Sequence, residues 1–555
     1  MKIKFLISFI FFTLATTTIP SSAVDTPYKN LSTLSPGTFA FVFNEGSHGL
    51  GHINSKLISS EMSVSLGKLP NSRLCTSFSD PRCAAGEFGN FDAMTVLNPC
   101  VANDIEPCVG SLTLTDKEGK LHKASLVRTI DGPKFPKDSS VELFNGGSTS
   151  LWHVPDFPGI KDYAVAYFIE SSYWKVSGEK KFTPRTFSAY IYPFVEKVVP
   201  SATNKKWQEI IFPDGRIGIS GTGDVSGMNC IWTENGKCGL EQEFDEAVTM
   251  ELKLNVPASL TGWLHGRLVG PEISVTSIGN SMNELTVRAK PADVPSAYAE
   301  IPYSQTTDEM KQLYKFNAHA MSGSPVRDNV DVAGSSGFKY MSAFQGLLGD
   351  KAQLKSTSWK FGRLDGVQTN SQNNCLQSNS KILGLVTTNS MLYEDTLPKF
   401  ENGSLNYKVG GLHFNPDGTT FKGMYDLVMR SETARCLYGF SNAPLSAEIS
   451  VISAEGEKQV ATTQLSESKD WIHLSAYNFG FSSPTIQMKL KQEIELSVAP
   501  TPSASPAMSP SPQPEISSKR TNSVLKKTII TCVKGKTTKK VTATIPKCPA
   551  GYKKK

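Results

Sequence analysis

The sequence of 555 residues lacks most of the features that mark a membrane protein or a familiar enzyme. Its most apolar run, residues 5–15, has about eleven residues, whereas a helix needs roughly 20 to span a bilayer. The chain has only eight histidines, and neither Gly-x-Ser-x-Gly nor His-Glu-x-x-His occurs in it. No two cysteines have the short spacing of a zinc site. The sequence therefore identifies no catalytic motif and leaves the catalytic residues of any enzyme activity unassigned.

The N-terminus has the composition of a secretory signal peptide. Lys2 and Lys4 precede the apolar run, and Ser21 and Ala23 occupy the small-residue positions expected before a cleavage site. We therefore expect residues 1–23 to be removed and the mature protein to be exported, without a transmembrane anchor. The alternative is that the segment stays attached as an anchor, but its apolar run is short for that role.

The ten cysteines fit an oxidising compartment, where an even number of cysteines forms a disulfide framework. Three neighbouring pairs are each separated by eight residues, and two further pairs close longer loops. The expected disulfides are Cys75–Cys83, Cys100–Cys108, Cys230–Cys238, Cys375–Cys436 and Cys532–Cys548. Spacing alone leaves crossed pairing open among the first four cysteines.

Charge divides the chain into an acidic body, residues 24–498, and a basic tail, residues 519–555. The chain has 57 Lys and Arg and 51 Asp and Glu, a net charge of +6. Twelve of the bases and none of the acids lie in the tail, so residues 1–518 hold 45 bases against 51 acids, a net charge of −6. Between body and tail, residues 499–518 form a Pro/Ser-rich linker with six prolines. This composition favours extended polyproline II and predicts a spacer of roughly 45 Å.

The body is expected to be mostly β. Short alternating runs separated by turn residues recur through it, with turns at Glu118-Gly119, Asp417-Gly418 and Glu455-Gly456. A body of roughly 475 residues exceeds what one core usually fills, so we predict two or more β-rich, sandwich-like domains with a short helical insert. The predicted ranges are 24–297 for a β-rich region of one or two domains, 298–355 for a partly helical connector and 356–498 for a second β-rich domain.

Two helices are predicted in the connector. The first begins with a capping box formed by Thr306 and Glu309. Apolar residues then recur on one helical face: Met310, Leu313, Tyr314 and Met321. A second, weaker pattern predicts helix over residues 340–359.

Three local patterns could carry chemistry, and each has a plainer structural explanation. His48 and His52 have the spacing of metal ligands on a helix, but the glycines around them favour a loop. The glycine-rich segment 215–227 is followed by a cysteine-containing turn rather than the helix of a dinucleotide site, so tight turns explain it. Asp328 and Asp331 lack the remaining ligands of a calcium loop. We therefore expect no metal and no cofactor.

Aromatic residues are concentrated in two consecutive predicted strands. Tyr163 and Tyr167 share one face of the first strand, and Tyr190, Tyr192 and Phe194 share one face of the second. Exposed, these rings would form a platform for sugars or peptides; buried, they would pack as cross-strand pairs. Because the opposite faces are also largely apolar, we expect burial.

The tail is the strongest candidate for binding. The stretches "TIITCV" and "KVTATI" alternate about Gly535, and a Cys532–Cys548 disulfide would staple a unit too small to fold on its core alone. The lysines predicted to contact an anionic polymer are Lys534, Lys536, Lys539, Lys540, Lys547, Lys553, Lys554 and Lys555. Tyr552 is the tail's only aromatic residue, which disfavours single-stranded nucleic acid and favours cell-wall or surface polysaccharide. The alternative is that the lysines only keep the tail solvated.

The tail sequence "TIITCVKGKTTKKVTATIPKCPAGYKKK" resembles a basic two-cysteine ending of exported proteins of aquatic actinobacteria, which usually follows a Pro/Ser-rich linker. The stretches "ARCLYGFSNAPLSAEISV" and "FGFSSPTIQMKL" are similar to a region of large exported proteins of the same bacteria. The resemblance implies an extracellular or cell-surface location and assigns no catalytic residue.

These patterns together predict a secreted, possibly surface-attached protein of non-enzymatic binding or structural type. Its basic tail would hold it to an anionic polymer of the cell surface. The alternative is a secreted hydrolase that acts on polysaccharide or peptide.

Overall fold

Strands dominate the structure, as the sequence predicts. The computed structural model describes residues 35–43, 53–61, 71–84, 88–101, 106–222, 229–245, 247–313, 326–330, 334–364, 374–376, 381–441, 445–453, 456, 458–459, 461–481, 484–492, 528–534, 537–543 and 553–554. The predicted signal peptide and the Pro/Ser-rich linker lie outside these residues. The chain divides into two compact units, Met1–Glu493 and Ile494–Lys555.

The strands of the first unit have short connections for the most part. In chain order they are β1 (Thr38–Phe43), β2 (Lys56–Glu61), β3 (Ser72–Leu74), β4 (Phe88–Val96), β5 (Cys108–Thr115), β6 (Leu121–Lys123), β7 (Ser125–Thr129), β8 (Ser150–His153), β9 (Asp162–Trp174), β10 (Thr183–Val198), β11 (Lys206–Ile211), β12 (Ile217–Thr222), β13 (Cys230–Glu234), β14 (Lys237–Glu241), β15 (Thr249–Pro257), β16 (Gly262–Gly279), β17 (Met282–Pro302), β18 (Val326–Val330), β19 (Leu354–Arg363), β20 (Ile382–Thr388), β21 (Leu392–Tyr393), β22 (Lys399–Glu401), β23 (Ser404–Gly410), β24 (Gly423–Arg430), β25 (Leu445–Ile452), β26 (Lys458–Gln459), β27 (Thr462–Ser468), β28 (Trp471–Phe479) and β29 (Thr485–Gln492).

Helices are short and few among the described residues. They are α1 (Pro81–Ala84), α2 (Asp308–Leu313), α3 (Ser335–Leu348) and α4 (Ser431–Tyr438), with 3-10 turns at Lys175–Ser177, Tyr303–Gln305 and Asn374–Leu376.

A long main sheet runs through the first unit in the order β3-β2-β4-β9-β10-β19-β16-β20-β24-β28-β27. Its neighbours pair antiparallel except β16 and β20, which run parallel. The antiparallel pairing of consecutive strands agrees with the many short turns in the sequence.

Strands β16 and β17 connect the main sheet to a second sheet, β6-β5-β15-β17-β16. The first half of β16 pairs within the main sheet, and from Leu268 onward it pairs with β17, with a break in register between Val269 and Glu272. Gly270 lies in this break with a φ of 57°, a left-handed conformation that glycine adopts without a steric penalty. The bend lets one strand take part in two sheets.

The main and second sheets face each other across a buried core. Leu252 and Val287 of the second sheet contribute to the same hydrophobic cluster as Val165 and Ile191 of the main sheet. This is the sandwich-like packing that the alternating strands predict.

Part of the other face of the main sheet is also buried. A further sheet, β21-β23-β29-β25-β26 with β22 on β23, contributes Tyr407 and Met488 to a cluster that includes Leu427 and Ile472 of the main sheet. Leu427 belongs to this cluster and the next residue, Val428, to the other, because successive side chains of a strand point to opposite faces.

Four of the five expected disulfides are present: Cys75–Cys83, Cys100–Cys108, Cys230–Cys238 and Cys375–Cys436. Their pairing removes the crossed alternative among the first four cysteines. The third disulfide bridges the β13–β14 hairpin, whose turn residues Asn235 and Gly236 have positive φ angles of 50° and 73°. Cys548 lies outside the described residues, so the fifth disulfide stays a prediction.

The first predicted helix forms as α2, but its cap differs from the prediction. The Oγ1 of Thr307 accepts a hydrogen bond from the backbone N–H of Met310 at 3.2 Å, whereas the hydroxyl of Thr306 donates to the carbonyl of Tyr303 at 2.7 Å. Thr307 therefore caps the helix and Thr306 closes the preceding turn. Of the predicted apolar face, Met310 is buried and Leu313 half-buried, while residues 314–325 lie outside the described residues.

The prediction of a helix over residues 340–359 is wrong at both ends. Helix α3 begins earlier, at Ser335, and ends at Leu348, where Gly349 adopts a φ of 60° and its N–H bonds back to the carbonyls of Gln345 and Gly346. This left-handed cap stops the helix. Trp359 belongs instead to β19, because its ring packs inside the core between the sheets.

The predicted domain boundaries fall inside continuous strands. Residues 297 and 298 both belong to β17, and residues 355 and 356 both belong to β19. The predicted turn at Gly119 joins the paired strands β5 and β6. The turn at Gly418 is present too, but β23 and β24 on its two sides belong to different sheets.

Candidate functional site

The tail contains a three-stranded antiparallel sheet in the order β31-β30-β32. Its strands are β30 (Thr528–Lys534), β31 (Thr537–Ala543) and β32 (Lys553–Lys554). The two stretches that alternate in sequence thus form the paired strands β30 and β31. Five of the predicted polymer-binding lysines lie in the sheet: Lys534, Lys539, Lys540, Lys553 and Lys554. Lys536, Lys547 and Lys555 lie outside the described residues.

The register of this sheet brings the five lysines close together. Lys539 and Lys554 lie opposite Cys532 on its two sides, in the same row of the sheet. Lys540 and Lys553 lie in the rows before and after it, opposite Thr531 and Val533. Lys534 adds the next row, so all five fall within four consecutive rows, a distance of about 10 Å along the strands.

This spacing matters for electrostatics. Charges closer than the screening length, about 8 Å at physiological ionic strength, reinforce one another's field, and adjacent rows of a sheet lie only about 3.4 Å apart. The tail holds no acidic residue that would offset them. A compact cationic sheet of this kind can attract a polyanion, and its attraction depends strongly on salt.

The aromatic run of β9 and β10 is buried, as predicted. Tyr163 and Tyr167 lie in the core between the main and second sheets, fully removed from solvent, and burial raises the pKa of both phenols well above the usual value. Tyr192 and Phe194 are buried in a separate cluster on the opposite face. Tyr190 is half-buried and stacks on Tyr192, with ring centroids 5.7 Å apart. These rings therefore serve packing and do not form a sugar platform.

A charged face on β2, β4 and β9 was not predicted from the sequence. Lys56 and Glu170 lie in the same row, each opposite Met94 of β4, and Asp92 lies two residues along that strand. Burial raises the pKa of the Glu170 carboxyl, an effect that Lys56 partly opposes and Asp92 adds to. Burial also lowers the pKa of Lys56, whose ammonium lies 4.2 Å from the ring centroid of Trp207.

The carboxyl of Asp92 completes this charged face. It reaches solvent, yet the surrounding protein desolvates it enough to raise its pKa against the opposing charges of Arg185 and Lys56. Arg185 also stacks 5.2 Å from the ring centroid of Trp174, which ends the aromatic run and is 41% exposed. Two carboxyl groups with raised pKa values beside a lysine occur at binding and catalytic surfaces, and they also occur in structural ion pairs.

The sequence patterns also did not predict four histidine–aspartate pairs that the structure contains. Four described histidines each place a ring nitrogen within 3 Å of an aspartate oxygen: His122 with Asp116, His153 with Asp162, His413 with Asp350 and His473 with Asp426. The first pair flanks one hairpin and could be found from the sequence. The partners of the last two are far apart in the chain, so only the fold brings them together.

The remaining sequence patterns have structural roles or lie outside the described residues. Strand β12 pairs with β11 as a hairpin with Gly215 in its turn at a φ of 81°, and the next described element is strand β13, so tight turns account for the described part of the glycine-rich segment. Asp328 lies in β18, whereas His48, His52 and Asp331 are not described. Within the described ranges, no group of three or more His, Cys, Asp and Glu residues is arranged to hold a metal ion.

No protein-family model matches this chain, and no curated protein resembles it at a significant level. None of the helices in the described part of the chain is both long enough and apolar enough to cross a membrane.

Proposed function

We propose that this chain is an exported protein of binding or structural type that its basic tail holds to an anionic polysaccharide of the cell wall or cell surface. The observation that carries the proposal is the register of the tail sheet, which gathers five lysines within four rows. The four disulfides of the body support an oxidising, extracellular environment. The predicted signal peptide and the Pro/Ser-rich linker fit the same location.

The charge distribution supports attachment through the tail and not through the body. The body is acidic and would be repelled by an anionic polymer, whereas the tail carries twelve bases and no acid. Lysines close to an anionic surface contribute about 1 kcal/mol each at physiological salt. Several lysines acting together would give reversible attachment that weakens as salt rises. Stacking on bases would add little, because the tail has a single aromatic residue.

The test measures retention of the mature full-length protein on an immobilised anionic polysaccharide and on an uncharged one. The variant replaces Lys534, Lys539, Lys540 and Lys554 with Gln. We expect the wild type to elute at a defined salt concentration and the variant to bind at least tenfold more weakly, because four charges leave the compact sheet.

A matched control replaces four exposed lysines of the body with Gln: Lys123, Lys180, Lys290 and Lys339. It loses the same number of charges and should be retained like the wild type. Equal weakening of both variants would mean that only net charge matters. Retention of the tail variant at the wild-type salt concentration, or retention of the wild type in 1 M salt, would refute the proposal.

A further inference from the structure

The body contains a cleft of about 420 Å³ between the bent strand β16 and the β27–β28 hairpin. Its apolar lining includes Ile273, Val428 and Trp471, and its polar lining includes Arg288, Ser466 and His473. The volume lies within the range of small-molecule sites, and the mixture of apolar walls with a few polar groups is typical of them.

A buried carboxylate lies behind this cleft. Asp426 is fully removed from solvent and accepts three hydrogen bonds. Its Oδ1 accepts from Nε2 of His473 at 2.9 Å and from the hydroxyl of Tyr477 at 2.6 Å, and its Oδ2 accepts from the backbone N–H of Gly270 at 3.0 Å. Three donors hold the carboxylate in one orientation, which in turn orients the imidazole.

The bond to Asp426 decides how His473 can act. With Nε2 committed to the Asp426 carboxylate, Nδ1 is the ring nitrogen that remains for a group bound in the cleft. The side chain of His473 is 24% exposed, and it lines the cleft. An oriented imidazole that reaches a cleft can accept a proton from a group bound there.

A serine lies opposite His473 in the register of the hairpin. Ser466 of β27 is directly opposite His473 of β28, and β24 with Asp426 lies on the other side of β28. Side chains of directly opposite residues share one face of a sheet, with β-carbons about 4.5–5.5 Å apart. Three adjacent strands therefore present a serine, a histidine and an aspartate in that order on one face.

The pair His122–Asp116 shows what a purely structural arrangement looks like in this protein. Its side chains are only 3% and 9% exposed, and neither lines this cleft. His473 differs in being open to a cleft that also holds a hydroxyl. This difference favours a chemical role over a packing role.

We propose that this cleft hydrolyses short-chain carboxylic esters, with Ser466 as the nucleophile, His473 as the general base and Asp426 as the group that orients the imidazole. The activity would be additional to attachment through the tail. It favours the hydrolase alternative for the body over the expectation of a protein without enzymatic activity.

The reaction balances without any further reagent. The Oγ of Ser466 attacks the ester carbonyl carbon and its proton passes to Nδ1 of His473; the carbon–oxygen bond to the alcohol breaks, and the alcohol leaves with that proton. Water then attacks the acyl-serine, gives a proton to His473, and releases the acid as the serine recovers its proton. Glu251 and Glu272 also line the cleft, and Arg288 forms an ion pair with Glu272 at 3.6 Å. Lys469, a further lining residue, is therefore the cation assigned to stabilise negative charge on the carbonyl oxygen.

The position of the nucleophile indicates the kind of substrate. Ser466 is exposed, and β27 ends the main sheet, so an ester group carried on a large molecule can reach it. The apolar wall formed by Ile273, Val428 and Trp471 suits an acyl group of a few carbons. An acyl substituent on a polymer therefore fits better than a long-chain lipid.

The test uses the full-length mature protein, a fluorophosphonate probe and p-nitrophenyl acetate. We expect mass spectrometry to find the probe on Ser466 and turnover of the ester to saturate. Ser466→Ala should abolish labelling and lower kcat/KM at least 100-fold. Because Ser466 is exposed, its unfolding midpoint should stay that of the wild type, which separates loss of activity from loss of fold.

The matched control is Ser446→Ala, which changes an exposed serine of β25 that does not line the cleft. It should be labelled and should turn over ester like the wild type. His473→Gln should slow labelling of Ser466 at least 100-fold. Absence of label on Ser466 under conditions that label a known serine esterase, or unchanged turnover in Ser466→Ala, would overturn the proposal.

Discussion

The body and the tail are both built of antiparallel strands, but different forces hold them together. In the body, further sheets cover parts of both faces of the main sheet, and large side chains such as Trp263, Trp359 and Tyr425 are almost fully removed from solvent. The described strands of the tail contain 7, 7 and 2 residues, and five of these residues are lysine. A unit of this size buries little apolar surface.

The same strand pattern can therefore build a core in one region and hold charged residues in register in another. In the body, the disulfides tie strands that already pack against a core. In the tail, a Cys532–Cys548 disulfide would supply stability that no core provides, while the register of the strands sets the charge density. Changes that weaken one region should therefore leave the other intact.

The largest expected effect is on the core of the body. Tyr192 is 5% exposed, and Tyr192→Ala should lower the free energy of unfolding by about 3–5 kcal/mol, as removal of a buried aromatic side chain usually does. Chemical denaturation measures the loss. Tyr190→Ala, at the half-buried neighbouring position, is the control and should cost less than half as much. Equal losses would contradict the burial pattern, and retention by the tail should be the same in both variants.

The loss of unfolding free energy on removing a disulfide should increase with the length of the loop that the disulfide closes. On the chain-entropy account, Cys375→Ser with Cys436→Ser opens a separation of 61 residues and should cost about 4 kcal/mol. Cys100→Ser with Cys108→Ser opens a separation of 8 residues and should cost about 2.5 kcal/mol. Denaturation of the two double variants measures both. The reverse order would show that native-state strain or packing outweighs loop entropy.

A smaller effect is expected at the charged face, and its sign depends on pH. Because burial raises the pKa of Glu170 in the folded protein, the fold binds that proton more tightly than the unfolded chain does. The stabilisation from the protonated Glu170 carboxyl is fully present below the pKa of this group in the unfolded chain. It is lost as the pH rises through the higher pKa of the group in the folded protein. Wild type should therefore gain stability relative to Glu170→Gln as the pH falls from 7 to 4.

Denaturation of both proteins at several pH values measures this difference. Ser171→Ala serves as the control, because it changes the residue next to Glu170 without removing a titrating group, and its difference from wild type should stay constant with pH. A constant difference between wild type and Glu170→Gln across the range would contradict the raised pKa.

The smallest expected effect is loss of the tail cysteines. Replacing Cys532 and Cys548 with Ser should weaken retention on an anionic polysaccharide less than about threefold, because all twelve bases remain and only the fold of the sheet loosens. The lysine variant described above should lose at least tenfold. Labelling of free thiols in the unfolded, unreduced wild type provides the accompanying check: no thiol should react. Retention that falls more without the cysteines than without the lysines would mean that shape, and not charge, holds the tail.

Much of the architecture could be predicted from the sequence because it rests on local patterns. Alternation of apolar and polar residues identified the strands, glycines at positive φ marked turns such as the one at Gly119, and equal spacing of cysteines identified the short disulfide loops. Helix boundaries were less certain. Gly349 ends α3, and the residues beyond it join a sheet because a strand was available to pair with them, which no local pattern indicates.

The acidic body, the basic tail, the Pro/Ser-rich composition between them and the predominance of strands follow from the sequence, since composition and alternation are properties of short segments. Which distant residues meet depends on the tertiary structure. Asp426 and His473 are 47 positions apart, and Lys56 lies more than a hundred positions from Glu170. Pairing of strands sets such contacts, and the register of a strand depends on which partners its buried face finds. For the same reason, the lysines of the tail could be counted in the sequence, whereas their arrangement in rows about Cys532 came from the sheet.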